Sequence, residues 1–178
     1  MIVFSVLVAL GVDEWRDTRR QRVRAEAALA AILSELEANR AAIQRARDLH
    51  QSIAARLGTI QQSGNIPTRD EASSGLFRPA RVIGNAWASA RETGALDELS
   101  YDLVLSLSRL YESQDRYEQL SSQLTADIYI DLRRRGLDAV MREGFAGFLL
   151  LVDDFSSREM SLLRQYDDLL PVLKQHRF

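Results

Sequence analysis

Three features of this sequence predict an all-α fold of three long antiparallel helices plus one short helix, the first helix extending from an N-terminal membrane anchor. Apolar residues recur with a period of 3.5 over five heptads between Ala25 and Ile60. Only three prolines and nine glycines punctuate 178 residues, too few for a turn-rich β architecture. No stretch shows the strict apolar–polar alternation of a half-buried strand.

Composition narrows the function classes. Apolar residues make up 46% and charged residues 27%, the balance of a globular domain with a core. A net charge of −2 gives no global attraction to nucleic acid, so none is expected as a partner. The absence of cysteine excludes a disulfide framework, a lipoprotein cysteine, a thiolate zinc site and a cysteine nucleophile.

Helix one carries the stripe. Its a positions are Ala25, Ile32, Asn39, Ala46, Ile53 and Ile60, and its d positions Leu29, Leu36, Ile43, His50 and Leu57. Nothing but Gly58 interrupts it, and a helix with such a stripe must bury it against partners. Asn39 and His50 are the polar exceptions. They read either as a buried polar site, or as register-setting or outward-pointing side chains.

Upstream lies Met1 to Val12 (MIVFSVLVALGV), an unbroken apolar run. A full span needs about 20 such residues. Residues 1–15 therefore read as a partial, single-pass membrane anchor, with the bacterial inner membrane as the expected location. The alternatives are a short one-leaflet anchor, a signal peptide with Ala9 and Gly11 before its cleavage point, or a buried helix end. Trp15, Arg16, Arg19 and Arg20, continued by Arg22 and Arg24, form an interfacial collar that would face membrane lipid. The interleaved Asp13, Glu14 and Asp17 leave the side of the membrane open.

Residues 16–178 are expected to form the bundle. Gly64, Pro67, Ser73, Ser74 and Gly75 mark a long loop at about 62–82, which also holds Phe77 and Pro79. A short helix over about 82–92 follows, ending at Thr93-Gly94 in a Schellman pattern with Leu96 beyond. Ser100 reads as the N-cap of the next helix, with Asp102 in its first turn. That helix carries Leu103, Leu107, Leu110, Gln114, Tyr117, Ser121, Leu124 and Ile128 on its seam and stops at Arg133-Arg134-Arg135-Gly136. The last helix starts between Leu137 and Gly144 and reaches about Pro171. Phe145, Leu149, Val152, Leu163, Tyr166 and Leu170 form its seam. If the long helices alternate in direction, Arg133, Arg134 and Arg135 return beside the Trp15–Arg24 collar as further membrane-interface residues. The simpler reading is two solvated helix termini.

Chemistry is hard to find. The two histidines, His50 and His176, lack the Glu-x-x-His spacing of a di-iron bundle and any zinc-protease spacing. Asp153-Asp154 and Asp167-Asp168 fall on the outward face of the last helix, where solvation explains them better than acid–base work. There is no P-loop, no G-x-G-x-x-G and no G-x-S-x-G. Gly144-Phe-Ala-Gly147 offers a small-x-x-small spacing for close helix packing.

The collar Val8-Ala9-Leu10-Gly11-Val12-Asp13-Glu14-Trp15-Arg16, with Ala86-Trp87, Thr93-Gly94-Ala95-Leu96, Leu99, Leu107 and Leu110-Tyr111, resembles an uncharacterised family of bacterial membrane-anchored helical proteins, a domain of unknown function. The likeness covers about residues 3–117. It departs at the front, where family members carry basic residues before a full-length anchor. The resemblance implies an architecture and no activity, cofactor or site.

The expectation is therefore a membrane-anchored helical-bundle interaction or sensory module without enzymatic activity, cofactor or metal. Trp87, Thr93, Gly94 and Leu96 are its candidate partner surface, and a protein partner or a second copy is the expected occupant. The alternatives are a soluble oligomeric coiled-coil scaffold, and an enzyme with a distal pocket joining His50, an acid and Tyr101 or Tyr111.

Overall fold

A stripe sustained over five heptads needs one continuous helix, and the computed structural model provides it. The structure describes residues 2–65, 68 and 77–176, with only the helical backbone at residues 2–13, Met141 and Phe145. Its helices are α1 (Ile2–Gln62), α2 (Asn85–Glu92), α3 (Tyr101–Arg135) and α4 (Leu137–Gln175), and no strand occurs among the described residues. The fold is all-α. Every a and d position of α1 from Ala25 to Leu57 is buried, Asn39 and His50 included, and only Ile60 is partly open. Before Ala25 the side chains from Glu14 to Arg24 are all exposed, so this part of α1 projects past the core.

Local chemistry sets the boundaries. The Ser100 hydroxyl accepts from Leu103 N and caps α3. Gly136, at φ +76°, turns α3 into α4 in a single residue after three arginines. Gly94, at φ +68°, closes α2, with Ala95 N donating to Ala90 O and Gly94 N to Arg91 O. This is the expected Schellman motif, although its apolar C″ residue is Ala95 rather than Leu96. The expected start of the short helix near Val82 lies three residues too early, because Val82 to Gly84 carry no helix. Of the expected loop at 62–82, residues 66, 67 and 69–76 lie outside the described part. Residues 77–84 carry no regular secondary structure. Pro171 falls inside α4 and does not end it.

Cross-helix pairs give the directions. Arg40 meets Asp167, Lys174 meets Glu37, and His50 meets Glu159, so α4 runs against α1. Glu35 meets Tyr111 and Asn39 meets Gln114, so α3 runs with α1. The return journey is made by residues 77–90. Phe77 stacks on His50, Ile83 bonds Asn39, and Ala86 bonds Glu35. This strap follows α1 back towards its N-terminus. The alternation expected of the first two long helices therefore does not occur, and Arg133 to Arg135 stand at the opposite end from Arg16 to Arg24.

The membrane assignment also needs correction. No helix among the described residues is long and apolar enough to cross a membrane. Residues 2–12 of the helix, apolar but for Ser5 and Gly11, rise about 17 Å against a hydrocarbon core of about 30 Å, and Asp13, Glu14, Arg16 and Asp17 follow at once. The expected single-pass anchor over residues 1–15 does not stand, nor does the inner-membrane localisation it implied.

Candidate functional site

Polar side chains climb the inside of the bundle in three levels, each holding the strap. At the first, Glu35 accepts from the Tyr111 hydroxyl at 2.7 Å and from Ala86 N at 2.8 Å. Trp87 stacks on Tyr111 with centroids 5.1 Å apart and planes 7° apart. At the second, Asn39 Nδ2 donates to Ile83 O at 2.7 Å and to Gln114 Oε1 at 2.9 Å, while Asn39 Oδ1 accepts from Ile83 N at 3.1 Å. At the third, His50 Nδ1 lies 3.0 Å from Glu159, and the Tyr117 hydroxyl donates to Glu159 Oε1 at 2.8 Å. That hydroxyl also accepts from Ala80 N at 3.0 Å.

The strap explains why these residues are polar. A segment without helix or ladder, and the first turn of a helix, must find outside partners for their partly buried N–H and C=O groups. Glu35, Asn39 and Tyr117 supply them for Ala86, Ile83 and Ala80. Asn39 and His50 are thus neither outward-pointing nor isolated. Asn39 clamps the strap directly. His50 does so through Glu159 and Tyr117, under a roof of Phe77 stacked at 4.8 Å and Phe155 edge-on at 6.5 Å.

Burial governs the electrostatics. Burial first, then the Glu35 hydrogen bond and charge, raise the Tyr111 hydroxyl far above the usual phenol range. Burial and the Glu159 charge and hydrogen bond do the same for Tyr117. Burial, with Glu35 nearby, raises Tyr166. Buried His50 Nε2, Gln114 Nε2, Tyr166 Oη and Arg47 Nε have no hydrogen-bond partner among the described residues.

His50, Glu159 and Tyr117 are the inventory of a general acid–base centre, but Glu159 and His50 are 0% exposed. A cavity of about 550 Å³ lies beyond Phe77, lined by Thr125, Ile128, Leu132, Val140 and Phe148 and not by the cluster. The pocket joining His50 to Tyr101 or Tyr111 does not form. Tyr101 is 77% exposed, and Tyr111 belongs to the Glu35 level. Among the described residues no group of three His, Asp or Glu side chains could hold a metal ion.

The candidate partner surface is divided. Trp87 and Leu96 are buried, so Trp87 closes the core on Tyr111. Thr93 and Gly94 are exposed, and the Thr93 hydroxyl donates to Ser89 O. In the collar, Trp15 is exposed beneath the Arg19 guanidinium at 5.6 Å, Arg16 is exposed, and Arg20 pairs with Asp17. Arg133 and Arg134 face outward at the far end, while Arg135 pairs with Asp131 and Glu143.

Sequence reasoning misses Glu35, Tyr117 as a ligand of Glu159, and Glu159 itself. For Glu159 a signal exists. It lies seven residues from both Val152 and Tyr166, on the seam of α4, where a lone acid marks a buried partner. No family model, curated protein or solved structure matches the chain.

Proposed function

We propose that this chain is a non-enzymatic interaction module, a bundle of three long helices and a short one whose polar interior serves architecture and whose work is done by its surface. One observation carries the reading. The buried ionisable groups Glu35 and Glu159 each face donors that belong to the strap or that hold it. Groups committed in this way, and lining none of the cavities formed by the described residues, position backbone rather than reacting atoms. The likeness to the helical family of unknown function is, on this reading, one of architecture. The enzyme alternative rests on the cavity beyond Phe77, which is apolar on most of its wall and offers only Arg78, Asp127 and Asp131 as charged groups.

The test is complementation of a deletion strain. Glu159→Gln keeps the shape of the side chain and removes its charge. If it folds, with helical circular dichroism unchanged, it restores the wild-type phenotype on this reading. A folded Glu159→Gln protein that fails to complement refutes it and points to acid–base chemistry.

A further inference from the structure

We draw no further inference here: the strongest candidate, the open apolar end of the α3–α4 hairpin with the cavity beyond Phe77, carries nothing, because nothing in the structure shows what covers it and its Asp131, Arg135 and Glu143 charges are already paired within the chain.

Discussion

Tyr117→Phe removes one oxygen and breaks two bonds at once. The hydroxyl donates to Glu159 Oε1 at 2.8 Å and accepts from Ala80 N at 3.0 Å. Phenylalanine fills the same ring space, so no cavity forms and the ring keeps its edge contact with Phe155 at 5.7 Å. A bond to a carboxyl that is 0% exposed contributes about 1.5–3 kcal/mol, and a neutral bond to a backbone N–H about 1 kcal/mol. Ala80 N–H and Glu159 are then left without that partner, so the loss is about 3 kcal/mol. For a domain of this size each kcal/mol shifts Tm by about 2–4 °C, giving a fall of about 6–12 °C. The assay is urea unfolding followed by circular dichroism, together with hydrogen exchange at Ala80. The variant should lose midpoint without losing slope, and Ala80 N–H should lose protection before the helices do. A change below about 0.5 kcal/mol, or Ala80 protection unchanged, would show that the polar ladder does not hold the strap.

Other outcomes follow from the same geometry. Fluorescence of Trp15→Phe, reporting Trp87 alone, should be blue-shifted and resistant to iodide, while Trp87→Phe leaves an emitter that iodide quenches readily. Gly58→Ala should raise stability by about 0.5–1 kcal/mol, since its Cβ meets nothing within 4 Å, whereas Gly94→Ala should lower it by about 1–2 kcal/mol, because φ is +68°; thermal melts separate the two. The raised tyrosines fix the sign of the alkaline response. A group whose folded pKa exceeds its unfolded value stabilises below the unfolded value and ceases to do so as pH rises. Stability should therefore decline above about pH 10. In a pH titration Tyr111, Tyr117 and Tyr166 should ionise only as helical circular dichroism is lost.

Much of this architecture can be read from the residues because helix periodicity is a local property. Every a and d position of the α1 register from Ala25 to Leu57 is buried, although buried Glu35 lies off it, and the Ser100 cap, the Gly136 turn and the outward Asp153-Asp154 and Asp167-Asp168 pairs follow from side-chain chemistry within a few residues. What escapes is non-local. Nothing near residue 80 reveals that the chain doubles back along α1 before α3 begins, so periodicity alone misplaces the relative direction of α1 and α3, and with it Arg133 to Arg135. Asn39 and His50 stand out as exceptions, but their meaning lies in Ile83 and Glu159, 44 and 109 residues away. Trp87 enters the candidate surface because a tryptophan before a turn looks alike whether it faces a partner or, as here, Tyr111.

The direction of the strap also bears on how fast this molecule reaches its native state. In a bundle of simple hairpins each helix finds its partner soon after it forms. Here the principal neighbour of α1 is α4, and their pairs join residues 109 and 127 apart. The clamp on Ala80 cannot form until Tyr117 has arrived from a helix further along, and the Glu35 and Asn39 levels are completed only by Tyr111 and Gln114 from the same helix. Closing such large loops comes before any contact can offset its entropy. For an all-helical chain this is an unusually non-local wiring, and refolding slower than that of an up-down bundle of equal length is its kinetic signature.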